Sequence, residues 1–156
     1  MPAERQRAAA AYGDLLRRVF PATAAAEDSE PAARLPEMEL QALWAAGMLG
    51  MEGVTRGHGN VRILDFGEWN RCAGPDFLNA EMELDGVRQR GDIELDPTAQ
   101  DWEHHGHGAN PAFNKVMLHV VFKEPPGGWY TRNSLHREVP ILTIPDEVWQ
   151  RAAGMP

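Results

Sequence analysis

The alternation on either side of Asp85-Gly86 constrains this chain more than any other feature. From Asp76 to Leu84, the residues Leu78, Ala80, Met82 and Leu84 fall on one face and Asn79, Glu81 and Glu83 on the other, the period of two that marks a strand. Asp-Gly supplies the two positive-φ residues that a tight type I′ turn requires, and Val87 to Asp96 returns beside the first strand. With a two-residue loop, Glu83 stands opposite Arg88 and Glu81 opposite Arg90, so two charge pairs reinforce the register that the turn sets.

That register has a consequence for the acids at the hairpin's open end. Uninterrupted pairing from Leu84/Val87 reaches Asp76/Leu95 and puts Asp76 and Glu94 on opposite faces. Gly91 interrupts the returning strand, and an isolated strand glycine often marks a bulge. One extra residue there sets Asp76 against Asp96 and diagonal to Glu94, so a register shift between Ala80 and Asp92 is expected if these acids share a ligand.

The rest of the chain reads more simply. Tyr12, Leu15, Leu16, Val19 and Phe20 recur at helical spacing, predicting an amphipathic helix over 1–20, and 21–36, rich in Ala, Pro and acids, reads as a linker. A second helix from Glu37 to Met48 puts Glu37, Leu40, Gln41, Trp44 and Met48 on one stripe, so Glu37 points inward. Val61–Phe66 is a short apolar strand, Thr98–His105 a short helix, and Val116–Phe122 a buried strand interrupted only by His119. Val139–Ile144 is strand-like, and a last helix starts at Asp146. Residues 37–156 therefore form one α/β domain.

A lone cysteine, Cys72, excludes an intrachain disulfide and favours the cytoplasm. The N-terminal alanine run is too short for a membrane span, so no membrane association is expected. The formal net charge of −8 argues against simple electrostatic binding to DNA.

Several segments in order carry a resemblance. E-M-E-L-Q-A-L-W from Glu37, N-R-C-A-G-P-D-F-L-N-A from Asn70, G-D-I-E-L-D from Gly91, D-W-E-H-H-G-H from Asp101 and V-M-L-H-V-V from Val116 resemble the bacterial family known as domain of unknown function 2851. Members of that family are longer, so the chain is expected to match an N-terminal portion or a shortened relative. The order of elements and acids is also similar to the PD-(D/E)XK nuclease superfamily. That resemblance implies a restriction-endonuclease-like core of helix, three strands, helix and strand, with an extra N-terminal helix. It also implies a metal-dependent phosphodiesterase acting on nucleic acid, with Asp76 and Glu94 binding Mg²⁺ or Mn²⁺ and Glu37 joining from the helix. Asp96 stands where the superfamily has lysine, as a third ligand or a general base. The only lysines, Lys115 and Lys123, lie on or beside the next strand.

Independently of any family, Mg²⁺ takes hard oxygen ligands and needs only one or two carboxylates. His104, His105 and His107, with His119 on the following strand, offer a different chemistry, since imidazoles so spaced bind Zn²⁺ or act as acid and base near neutrality. Three readings stay open: a Mg²⁺ or Mn²⁺ nuclease with Asp76, Glu94, Asp96 and Glu37 as catalytic residues; a zinc protein using His105, His107 and His119; and a non-catalytic remnant that binds a partner or nucleic acid.

Overall fold

A computed structural model describes residues 36–154. The helix expected over 1–20 and the linker over 21–36, apart from Pro36, lie outside the described residues. The elements begin with a helix, α1 (Glu37–Ala45), followed by strands β1 (Glu52–Thr55), β2 (Gly59–Asp65), β3 (Glu68–Trp69), β4 (Phe77–Leu84) and β5 (Val87–Asp96). A crossover then carries α2 (Asp101–His104) and two 3₁₀ turns, His107–Ala109 and Pro111–Phe113, before β6 (Val116–Val121). The chain ends with β7 (Thr131–Arg132), β8 (Glu138–Val139), β9 (Ile141–Thr143) and α3 (Asp146–Ala152).

These strands do not form the restriction-endonuclease-like core. In the main sheet the order is β2, β1, β9, β6, β5, β4, β3, and β2 pairs again with β4. That last pairing closes six strands into a barrel and leaves β3 as an appendage on β4. The expectation of three strands and a fourth failed because it omitted β1, the strand that lets β2 be paired on both sides. β1 escapes a pattern search because it is short, carries Gly53 at its centre and exposes Val54. The strand expected over Val139–Ile144 is also broken. Pro140 has no N–H to give to a ladder, and the chain changes partners there, from β7 in a separate two-stranded sheet to β6 and β1 in the barrel.

The hairpin forms as its turn requires, with Leu84↔Val87, Glu83↔Arg88 and Glu81↔Arg90 in register. Both arginines converge on Glu81, so Arg88 bonds its diagonal neighbour and not Glu83. The register then shifts, but not by the device expected. The extra residue is in β4, where Ala80 pairs with Gly91 and Phe77 with Ile93, leaving Leu78 and Asn79 to face Asp92 alone. Asn79 takes a left-handed φ of 55°, which asparagine tolerates better than most residues, and its N–H donates to Asp92 Oδ1 at 3.1 Å. Gly91 serves a different purpose. A Cβ there would lie 2.7 Å from the Lys115 carbonyl oxygen, so the glycine admits the start of β6 rather than making a bulge.

The shift changes which side chains share a face. Phe77 now points the same way as Ala80 and Met82, and all three are buried. They join Ile93 and Leu95 of β5, Leu118 and Val120 of β6, Leu40, Leu43 and Trp44 of α1, and Trp149 of α3 in the main core. The second half of β5 is buried on both faces, which is why its pattern stops alternating at Asp92. The face opposite Ile93 and Leu95 carries Glu94 and Asp96, beside His119 and Val121 of the parallel strand β6. Parallel neighbours need a crossover, and the returning chain covers this face with Trp102 and Phe113, both buried. No described helix is long and apolar enough to cross a membrane.

Candidate metal centre

Because β4 runs antiparallel to β5, the start of β4 and the end of β5 lie at the same end of the barrel. Asp76, one residue before Phe77, stands across from Glu94. Its backbone N–H donates to Glu94 Oε1 at 3.1 Å, and its own Oδ2 accepts from Leu95 N at 2.9 Å. Gln41 of α1 donates to Asp76 Oδ1 at 3.0 Å while accepting from Trp69 Nε1 at 2.8 Å. Asp76 is therefore clamped from the sheet and from the helix.

The crossover delivers the histidines. His105 caps the C-terminus of α2, and Gly106 turns the chain with φ 73°, a conformation in which an L side chain is strained. This turn brings His107 back over β5. Its Nε2 lies 2.6 Å from Glu94 Oε2, and its ring stacks on Phe113 with centroids 3.9 Å apart. His105 stays half-exposed and sets Nδ1 3.5 Å from Asp96 Oδ1. One nitrogen of each histidine and one oxygen of Asp96 all lie within 4.8 Å of one another. Ligand atoms of a four-coordinate transition metal sit roughly 3.5 Å apart at its usual bond lengths, so a small inward closure would suffice.

His119 is held away from that set. It is fully buried, with Nε2 2.8 Å from Asp96 Oδ2 and Nδ1 2.8 Å from Thr131 Oγ1. Both ring nitrogens are engaged, so His119 backs Asp96 instead of joining His105 and His107. The remaining Asp96 oxygen, Oδ1, is buried and has no hydrogen-bond partner. It faces His105 Nδ1 at 3.5 Å.

Electrostatics reinforces this. Burial first, then the nearby Glu94 charge, pushes Asp76 up to about 9. Burial also lifts Glu94 to about 8, with Asp96 adding to the effect, and Asp96 itself to about 8. Glu37 is raised by burial and lies in the field of His105 and His107. Burial lowers His107 and drives His119 down to about 3. Buried carboxyls packed this closely disfavour one another's ionisation, and a nearby positive charge would favour their charged forms.

All four expected acids thus meet at one end of the barrel, together with His105 and His107. The sequence presented the acids and the histidines as rival centres; here they form one. His104 remains at the surface near Asp101, and His58 pairs with Glu138 at 3.3 Å, away from these residues. Lys115 precedes β6 beside the middle of β5, where its carbonyl accepts from Asp92 N, and Lys123 lines a cavity with Thr55, Ile141 and Pro145.

Sequence reasoning missed two supporting residues. Gln41 was visible as the one neutral polar residue on the inward stripe of α1. Thr131 carried no signal, because it comes from a two-residue strand far along the chain.

Comparison with known proteins bears on the same span. The family described as "Protein of unknown function (DUF2851)" matches residues 37–152. The chain belongs to this family. No curated protein and no solved structure matches it. The DUF2851 match covers α1 through α3 and so includes every residue of the centre. Neither the match nor the barrel supports the likeness to the PD-(D/E)XK superfamily.

Proposed function

We propose that this chain binds a divalent transition metal through Asp96, His105 and His107, with Glu94 alongside, and hydrolyses phosphodiester bonds there. The observation that carries the reading is the buried, unpartnered Asp96 Oδ1 facing two histidines, with two more carboxyls packed behind. Mixed nitrogen and oxygen donors suit Zn²⁺, Mn²⁺ or Fe²⁺ better than Mg²⁺, which prefers an all-oxygen shell with several waters. A metal so held supplies a water of lowered pKa and polarises a phosphoryl oxygen. Glu94, already within hydrogen-bond reach of His107, is placed to accept a proton from an attacking water. Asp76, fixed by Gln41 and Leu95 N, keeps Glu94 in position.

Calorimetry with Zn²⁺ and Mn²⁺ should show binding that Asp96→Asn abolishes. Cleavage of a single-stranded oligonucleotide should require the same metal, disappear in Glu94→Gln and survive in His58→Ala. Cleavage that persists in Glu94→Gln would place the activity elsewhere. Metal binding without turnover would favour the second reading, a non-catalytic zinc centre, for which the Asp96–His105–His107 set alone is sufficient.

A further inference from the structure

The centre is rich in carboxylates, so an anionic substrate needs a positive group close by. The arginines Arg62, Arg88 and Arg90 are paired with Glu52 or Glu81, and Arg56 donates to the carbonyls of Pro125 and Pro126. Arg71 is different. It is exposed, no ion pair to it is found among the described residues, and its guanidinium carbon lies 4.3 Å from the centroid of the Trp69 ring.

That ring is part of the frame of the site. Trp69 stacks on Phe77 with centroids 6.2 Å apart, and through Gln41 it reaches Asp76 by two hydrogen bonds. The loop that carries Arg71 is fixed as well. Asn70 N donates to the Asp76 carbonyl at 2.7 Å, Asn70 Nδ2 donates to the Pro75 carbonyl at 2.9 Å, and Cys72 N donates to Asn70 Oδ1 at 3.1 Å. A guanidinium lying over an aromatic face keeps its edge N–H groups directed outward, where they suit a phosphate in two-point contact.

We infer that Arg71, held against Trp69, binds a phosphate next to the one at the metal, so that the substrate is a nucleic-acid strand and not a lone phosphate ester. This rests on the hydrolytic reading above for the second phosphate. Arg71 lies against the Trp69 ring, which reaches Asp76 through the Gln41 amide, so it flanks the acids and is not one of the groups at the metal. It would instead hold the neighbouring phosphate and fix which bond reaches the metal, making it a positioning residue.

The test is binding of a short fluorescein-labelled oligothymidylate, followed by anisotropy over a range of salt in a Glu94→Gln background that leaves the strand intact. Arg71→Ala should weaken binding and reduce the slope of log K against log salt by about 0.7, the loss of one phosphate contact on a single strand. Arg71→Lys should retain most of the slope. In the otherwise native protein, Arg71→Ala should raise KM for the oligonucleotide and leave KM for a small phosphodiester unchanged. An unchanged slope in Arg71→Ala, or no binding of the strand at all, overturns the inference. Arg71-dependent binding with no cleavage by the native protein would remove the hydrolytic reading alone, whereas cleavage with an unchanged slope would remove only Arg71's role.

Discussion

Asp96 Oδ2 and His119 Nε2 lie 2.8 Å apart with neither side chain exposed, which turns the other Asp96 oxygen toward His105. With Asp96 ionised, the arrangement that satisfies both bonds has Nε2–H donating to Asp96 and Nδ1 accepting from the Thr131 hydroxyl. An outer partner of this kind orients a ligand and raises its basicity. His119→Phe should therefore lower Zn²⁺ affinity by about 10–100-fold, measured by competition with a chelating dye. His119→Gln, which can keep the bond to Asp96, should lose less.

The pH dependence of the metal-free protein follows from the same cluster. Asp76, Glu94 and Asp96 rise from 3.8, 4.5 and 3.8 to about 9, 8 and 8 on folding. The folded state holds these protons more tightly, so their contribution favours folding below about pH 4 and is lost as pH climbs toward 9. His119, lowered from 6.5 to about 3, works in the opposite sense and costs stability as pH falls below 6.5. Thermal unfolding in a chelating buffer should thus show Tm falling from pH 7 to pH 9. Added Zn²⁺ should reverse that fall, with protons released on binding.

Asn79 offers a test of the register shift. Asn79→Gly should be nearly neutral, since glycine accepts a φ of 55° freely, while Asn79→Val should cost ~1–2 kcal/mol in denaturant titration. If the valine slips the strand back into unshifted pairing, Asp76 turns away from Glu94 and metal affinity falls with it. Equal stability and affinity in both variants would show that the shift does not depend on this residue.

Gly91→Ala should destabilise by ~1–3 kcal/mol, because the new methyl would meet the Lys115 carbonyl and nothing flexible stands in between. Gly127→Ala serves as the control, since a Cβ there would meet nothing within 4 Å.

How far the fold could be read in advance depended on the range of each interaction. The Asp85-Gly86 hairpin, the apolar run of β6 and the start of α3 at Asp146 are local patterns, and each appears where its residues put it. Closure is not local. It needs β2 to meet β4 and β1 to meet β9, and nothing in Glu52–Thr55 announces a strand with two neighbours. The register shift expected at Gly91, on the argument that the acids share a ligand, falls instead at Leu78–Asn79 of β4, and Gly91 is where the start of β6 approaches. The site was legible as residue types. Its unity was not, because Gly106 had to turn His107 onto a strand already carrying Glu94.

One weak seam in the barrel has a dynamic consequence. β1 and β9 meet through the single pair Thr55↔Leu142, so the ring of strands has one place where few backbone bonds must break for it to part. Amide protons along β1 should accordingly exchange with solvent ahead of those in β5, through a sub-global opening that leaves β4, β5 and β6 paired. The carboxyls and imidazoles are carried by those three strands, the β5–β6 crossover and α1. Breathing at the seam would thus loosen the wall of the barrel while the strands that carry the centre stay together.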